Sequence, residues 1–524
     1  MAKQVTFGKK GMDAMLKGLS TAFEPVAHSM GPKGGSVFIG GNIPRLSTDG
    51  FTIATNIHLD DPEEDAGAYI IRNVCSQQND DSGDGTTTVA VLTNALINES
   101  LARPENPKHI KDSLKLAGDK VLKLLKTKKI NKKDVGQVAL ISSESKELSR
   151  LISEIVNKLG EKVVINVEDS KTFSSSYEIT DGYEASVGFM SPRFITDRKT
   201  ARAIYQDVPI LCTEKKISNI ADISSVFNSF AYETNKDGKI LTGIDGKPIP
   251  NKNPITSCVI VCEDIDDSML GMFVQNFEMK TFSVLVIRAT SLLLEDIAGY
   301  TGAKLISNTT GINFQNFKRE YLGFCKKVVA TANKTLFIGN GFSHKQYIKE
   351  LQSKTDGEPN MYVQKNMQNR VNKLSGGIAV LKIGASTDFE REYLKYKAED
   401  AVKAVQSALE EGIVEGGGMA LYRIGMELKP KTVGEEILKK ALSAPLKKII
   451  ENAGQDYTEI ITNMPAGMGY DAKNHQYVNM IESGIIDPHK VERTALENAV
   501  SASSTFITTK GFLITDVKET ETKD

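Results

Sequence analysis

The 524-residue sequence has no tryptophan, and aromatic residues make up only 7% of it, so its cores must be built mainly from aliphatic side chains. It has no excess of either charge: 65 Lys and Arg against 66 Asp and Glu leave a formal net charge of -1. That balance removes the uniform attraction on which general nucleic-acid binding depends, and no nucleic-acid partner is expected. No apolar run approaches the roughly 20 residues needed to span a bilayer, so no membrane partner is expected either. Cysteine is sparse. Cys75, Cys212, Cys258, Cys262 and Cys325 include no CxxC pair for a zinc ribbon or redox site. Cys258 and Cys262 flank Val259-Ile260-Val261 and read as buried strand thiols. Free thiols suit a reducing compartment. The opening MAKQVTFGKKGMDAML lacks the apolar core of a secretion signal and the Arg-rich, acid-poor bias of a transit peptide, which makes the cytoplasm the expected location.

At 524 residues the chain is too long for one hydrophobic core, and two to four domains are expected. Met12, Met15, Leu16, Leu19, Ala22, Phe23, Val26 and Met30 form the stripe of an amphipathic helix, interrupted by Pro25 and stopped at Gly31-Pro32-Lys33-Gly34-Gly35. Further helices are predicted from Thr86 to Pro104 and from Ile110 to Leu125. The character then changes: 162–167, 203–208 and 257–262 read as strands alternating with helices such as Ile220 to Phe230. The polar stretch 231–256, with Asp237-Gly238 and Asp245-Gly246 turns, reads as an exposed loop or hairpin. A strand at Ile378 to Ile383 precedes a return to helical periodicity from about Glu390. The economical arrangement is a mainly helical domain made from both termini, with an α/β domain inserted in its middle.

The sharpest chemical signal is Gly83-Asp84-Gly85-Thr86-Thr87-Thr88 at the start of an apolar helix. Glycines let backbone amides approach an anion, and three hydroxyls line the helix N-terminus. The pattern is a phosphate cradle containing a carboxylate, and Asp84 is placed to hold Mg²⁺ against phosphate oxygens. There is no GxxxxGK[ST] motif, so the cradle is not a P-loop. By itself such a turn is more often simple helix initiation.

The cradle is accompanied, in order, by Gly31-Pro32-Lys33-Gly34, Thr48-Asp49-Gly50, Gly188-Phe189-Met190-Ser191-Pro192, Lys215 to Ile220, Lys373 to Gly377, Ala398-Glu399-Asp400-Ala401, Glu410 to Leu421, Gly467 to Ala472 and Gly484 to Pro488. The ordered set resembles the group I (bacterial-type) chaperonins over nearly the whole chain, as a divergent, bacterial or bacteriophage-encoded member. The resemblance implies a mixed α and α/β fold in three domains. These are an equatorial ATP-binding domain (1–127 and 411–524), an intermediate hinge domain (128–181 and 378–410) and an apical client-binding domain (182–377). It implies an ATPase that captures non-native polypeptides and promotes their folding in a ring cavity, with ATP, Mg²⁺ and, as a further candidate ion, K⁺. The implied partners are client polypeptides, copies of the same chain in a seven-subunit ring, and a co-chaperonin lid.

Carried over by position, the nucleotide pocket comprises Gly31, Pro32, Asp84, Gly85, Thr86, Thr87, Thr88, Gly417, Asp471, Ala472, Ile485 and Asp487. Asp84 holds Mg²⁺, the threonines hold phosphates, Asp487 accepts from the ribose and Ile485 packs on the base. Asp400 orients the attacking water, with Asp49 as a second carboxylate; without the resemblance these read as a solvated helix residue and a turn residue. Gly182, Gly376 and Gly377 are candidate hinges. The implied client surface is Phe189, Phe194, Ile223, Phe227, Leu270, Phe273 and Val274, with core packing as the competing reading of each. Arg193, Ser224 and Gln275 stand where the family pattern is apolar or aromatic, Thr48 where it has Lys, and Asp471 where it has Asn. Lys447 and Asp456 keep the charges of the family's inter-ring pair. The tail Lys518 to Asp524 replaces a Gly-Gly-Met-rich ending. The alternatives are a passive holdase or structural ring, a small-molecule kinase, and the archaeal/eukaryotic chaperonin class; the Gly-Phe-Met-Ser-Pro and Lys-Ile-Ser-Asn-Ile segments favour group I.

Overall fold

The apolar stripe of the N-terminal segment folds as the helix Lys9–His28, which buries Met15, Leu19, Ala22 and Val26 and runs on through Pro25. Its neighbour Pro62–Asp81 crosses it at very short range. A Cβ on Gly18 would overlap the Glu64 carbonyl, and one on Gly67 the Met15 carbonyl, so glycine is what lets the two backbones meet. The carbonyls at the end of the first helix are satisfied by Asn452, whose Nδ2 donates to Ala27 and Met30 at 2.9 Å each. The helices Thr86–Leu101 and Pro107–Leu124 complete the N-terminal set. They share one core with Val433–Ala441 and His489–Thr508 near the other end of the sequence, through Leu92, Leu96, Leu114, Leu438, Leu496 and Phe506.

The computed structural model describes residues 2–40, 45–160, 163–170, 172–198, 200–235, 239–243, 245–315, 317–339 and 344–515. The chain divides into two compact units. One is Met1–Glu161, Asp169–Ser176 and Ile383–Asp524; the other is Lys162–Glu168 and Tyr177–Lys382. In the first, the helical stretch expected from Glu390 opens with the 24-residue helix Asp388–Glu411. It is then interrupted by two short antiparallel pairs, Ile413–Glu415 with Ile486–Pro488 and Gly469–Asp471 with Gln476–Val478.

The second unit is built on an eight-stranded sheet. Its order is Val164–Asp169, Gly377–Ile383, Ser176–Ala185, Thr335–Ile338, Gly323–Ala330, Ala203–Thr213, Ser257–Cys262, Ser283–Arg288. The last three strands are parallel and are joined by the helices Ile220–Ala231 and Asp267–Glu278. Ser257–Cys262 is buried along nearly its whole length, as its unbroken apolar run requires. Cys212, Cys258, Cys262 and Cys325 are all free and buried here, as is Cys75 in the first unit, and burial pushes every thiol up. Gly182 lies inside a strand, where a Cβ would overlap Ile378, so packing accounts for it. The 231–256 insertion forms a doubled hairpin, with bridges Tyr232 to Pro250, Thr234 to Ile240 and Thr242 to Pro248. Its base is closed by Asn251 N donating to the Ala231 carbonyl at 2.8 Å. Positions 236–238 and 244 of the insertion and the tail Lys518 to Asp524 lie outside the described residues. Among the described residues no helix is long and apolar enough to cross a membrane.

Candidate functional site

Gly83 and Gly85 have φ +73° and +78°, and Gly85 is the N-cap of the helix Thr86–Leu101. No side chain caps this helix, so its first-turn N–H groups are left for an external acceptor. Between the glycines, Asp84 Oδ1 accepts from Gly85 N at 2.6 Å and Oδ2 from Ser142 Oγ at 3.3 Å. The Asp84 carbonyl accepts from Gln78 Nε2 at 2.9 Å and from Ser82 Oγ at 3.0 Å. The cradle is therefore held by hydrogen bonds to its backbone on one side and leaves its carboxylate lightly tied on the other.

Asp49 caps the short helix Gly50–Thr55, accepting from Phe51 N at 3.2 Å and from Thr52 N and Oγ1 at 2.8 and 2.6 Å. Gly50 is pressed against the cradle: a Cβ there would overlap Thr87 Oγ1 and crowd Thr86 Oγ1. Ser29 Oγ lies 3.4 Å from Thr87 Oγ1, which ties the Gly31 turn to the same hydroxyl row. Gly31 has φ +84° and faces Ile449, while Pro32 beside it is exposed. Thr86 is buried, and Thr87 and Thr88 are half-buried.

Asp400 projects from the helix Asp388–Glu411 into the same field. Burial first, then the Asp49 and Asp84 charges, raise its carboxyl well above the usual range; Lys403 and Lys397 oppose the rise. Asp84 is raised too, by burial first and then by Asp49, against the hydrogen bonds from Gly85 and Ser142 and the charge of Lys397. Both residues are half-buried. Lys397 is itself committed to Glu144 at 2.8 Å. Asp49, Asp84 and Asp400 are thus electrostatic neighbours whose charges the two lysines offset only in part, an arrangement that favours an added cation.

Beside the Ile413–Glu415 and Ile486–Pro488 pair, Gly417 N donates to Asp487 Oδ2 at 3.0 Å. Burial first, and then the Asp84 charge, push Asp487 up. Ile485 packs with Ala472, Met480 and Tyr470 in one apolar cluster. Asp471 turns inward on its own hairpin, where its carboxylate accepts from Lys473 N at 2.9 Å, Asn474 N at 3.2 Å and Asn474 Nδ2 at 2.7 Å. Its side chain is a turn cap, and any nucleotide contact from this position falls to the backbone or to Ala472.

Five neighbours escaped the sequence reading: Gln78, Ser142, Lys397, Lys403 and Glu492. Lys397 and Lys403 flank Asp400 at i−3 and i+3, a spacing that could have signalled them. Glu492 is buried in the first turn of His489–Thr508, and its Oε2 has no hydrogen-bond partner. Burial, then Asp487 and Asp84, push its carboxyl up. Nothing in the sequence pattern places Gln78 or Ser142 beside the cradle.

The arrangement fits a nucleotide with Mg²⁺. The first-turn amides of the helix Thr86–Leu101 lack a side-chain cap, the turn before it carries a carboxylate, and carboxylate oxygens are hard ligands suited to Mg²⁺. Among the described residues no three His, Cys, Asp or Glu side chains are grouped to hold a metal ion by themselves, so phosphate oxygens would have to complete its shell.

In the second unit the implied client surface divides. Phe194, Ile223, Phe273 and Val274 are buried in the core, and Phe189, Phe227 and Leu270 are half-buried against it. The expectation that all seven present exposed apolar surface is corrected for the first four. Phe227 sits among Phe230, Phe273 and Phe282 with ring centroids 5.4–5.8 Å apart, and this aromatic cluster draws Phe273 inward. The outward faces of the two helices instead carry Ile220, Asn228, Gly271, Gln275 and Glu278.

Two crystal structures of the chaperonin gp146 from the bacteriophage EL 2 (Pseudomonas aeruginosa), both in the presence of ATP-BeFx, share this fold. Their TM-scores are 0.69 and 0.63 at 19% and 18% identity, each match covering 98% of this chain and 99% of the other. The family model of the TCP-1/cpn60 chaperonins matches residues 24–514. From the ordered motifs, the shared fold and this match, the chain belongs to the TCP-1/cpn60 chaperonin family.

Proposed function

We propose that the protein is an ATP-dependent chaperonin subunit of the group I type. It captures non-native polypeptides on its α/β domain and promotes their folding inside a cytoplasmic, seven-membered ring of identical chains through ATP-driven domain movement. The observation that supports this most is the uncapped N-terminus of the helix Thr86–Leu101 with Asp84 in its turn, against which pack Gly50, next to Asp49, and the stem of Lys403 from the Asp400 helix. Mg²⁺ held by Asp84, with K⁺ as a further ion, would neutralise charge on the transferring phosphoryl group. The first-turn amides and Thr86 to Thr88 would hold the phosphates, and Asp487, Ile485, Ala472 and Gly417 the nucleoside. Asp400 would accept a hydrogen bond from the attacking water and orient it; phosphoryl transfer depends mainly on such positioning and on charge compensation. Within this reading the helical residues 1–127 and 411–524 form the equatorial domain, 128–181 and 378–410 the intermediate domain and 182–377 the apical domain. A co-chaperonin lid would meet the apical domain, and Gly376 and Gly377 would serve as hinge positions.

ATP turnover and particle size test the proposal together. Intact protein is expected to hydrolyse ATP as a large ring, and Asp400→Ala to lose at least about 100-fold in kcat while assembly persists. Rings without turnover would leave a passive holdase, and a monomer that phosphorylates a metabolite would indicate a kinase.

A further inference from the structure

Asp400 shares one face of its helix with Lys403 and Ser407, at i, i+3 and i+7. Both neighbours reach the turn that carries Asp84. Lys403 Nζ donates to Asn79 Oδ1 at 3.2 Å, and the buried Ser407 Oγ donates to the Ser82 carbonyl at 3.1 Å. The aliphatic stem of Lys403 lies so close to Gly83 that a Cβ on that glycine would overlap it. With φ +73° as well, Gly83 is a position that only glycine fills without strain.

The grip continues beyond this contact. Ser82 Oγ lies 3.0 Å from the Asp84 carbonyl, and the buried Gln78 Nε2 reaches both Ser82 Oγ at 2.7 Å and the same carbonyl at 2.9 Å. Ser82 is therefore held by the Asp400 helix through its carbonyl and holds the Asp84 backbone through its hydroxyl. A short chain of hydrogen bonds thus runs from the Asp400 helix to the Asp84 backbone. Of its members only Asp84, through its backbone, belongs to the residues assigned to nucleotide contact.

Resting on the ATPase reading above, we propose that Lys403 and Ser407 are positioning residues for hydrolysis: they clamp the Asp400 helix onto the Ser82-Gly83 turn and so fix Asp400 relative to Asp84. Small displacements of a water-orienting group fall on kcat, whereas phosphate binding rests on the cradle amides and is left intact.

The test uses the full-length protein in its assembled state. Lys403→Met keeps the stem against Gly83 and removes the ammonium; Ser407→Ala removes the second tie. Each is expected to lower kcat about tenfold, and the pair about 100-fold, with the dissociation constant for a non-hydrolysable ATP analogue changed by less than about twofold. Ser407→Thr, which restores the hydroxyl, is expected to regain most of the rate. Unchanged kcat in both single variants, or parallel losses of kcat and analogue affinity, would overturn the clamp. Hydrogen exchange of the amides over residues 79–85 gives a readout independent of turnover. Exchange is expected to quicken in Ser407→Ala relative to Ser407→Thr, and equal protection in the two would overturn the proposal even if the intact protein proved inactive. An inactive parent with the expected exchange difference would instead sink the ATPase reading and leave the clamp standing.

Discussion

Glu492 is the residue whose chemistry is least comfortable in its place. It is 4% exposed, one of its carboxylate oxygens has no hydrogen-bond partner, and Asp487 and Asp84 are its electrostatic neighbours. Burial first, then those two charges, push it up to about 8, so in the folded protein it carries a proton that the unfolded chain gives up near the ordinary glutamate value. The folded pKa is the higher one. Its contribution to stability is thus fully present below the unfolded value and is lost as pH rises toward 8, on the order of 1 kcal/mol per pH unit in between. Without nucleotide or metal, the wild-type melting temperature is expected to fall between pH 5.5 and 8. Glu492→Gln, neutral throughout, should fall less steeply; identical slopes would refute the assignment. Gly83, Asp84 and Gly85 were legible in the sequence because a tight turn at positive φ ahead of a helix restricts residue type at each step, whereas Asp49 and Asp400 were reached only through the family resemblance. Glu492 and Ser407 were not legible, because their partners Asp84 and Ser82 lie more than 300 residues away, and Gln78 was not, because nothing in a helical pattern marks which polar residue of the helix Pro62–Asp81 turns onto the cradle.

Among the elements, the two helices of the α/β unit show where local pattern runs out. Ile220–Ala231 and Asp267–Glu278 each carry more apolar residues than one face accommodates, and periodicity does not say which of them the sheet takes. Position in a family pattern assigned Phe273 and Val274 to the surface, yet both are buried. The aromatic cluster with Phe227 and Phe282 supplies the reason, since two large rings cannot both be left in water when a sheet face is available beside them. Phe273→Ala should therefore act as a core truncation, costing about 3–5 kcal/mol in denaturant unfolding. Gln275→Leu, on the exposed face, should leave stability within about 0.5 kcal/mol and strengthen capture of an unfolded client, read as suppression of its light scattering. If Phe273→Ala weakened capture while leaving the unfolding midpoint unchanged, its burial in the core would be refuted. The strands Ala203–Thr213 and Ser257–Cys262, by contrast, were legible as elements because doubly covered parallel strands demand continuous apolar runs.

For the whole molecule, the division into two units follows from where the cores lie. The helices before residue 125 and after residue 419 complete one another's apolar faces, and the sheet encloses its own. That pattern was visible in the sequence as a change of periodicity at each end, whereas the residues that join the segments were not, because pairing across hundreds of positions leaves no local trace. The doubled hairpin after Ala231 stands apart from both cores: among the described residues, none between 232 and 250 belongs to the core of its unit. Its ends are already hydrogen-bonded to each other through Asn251 and Ala231, so the chain can be closed there by a short turn. Removing 232–250 is expected to leave the unfolding midpoint of the α/β unit unchanged within about 0.5 kcal/mol. Any consequence then belongs to partners. Because the hairpin adds exposed polar strand edges directly after a helix of the α/β unit, the proposed function leads to the expectation that the deletion changes the yield of refolded client or its dependence on a co-chaperonin lid. Equal folding yields and equal lid dependence in the deleted and intact rings would show that the hairpin takes no part in closing the cavity.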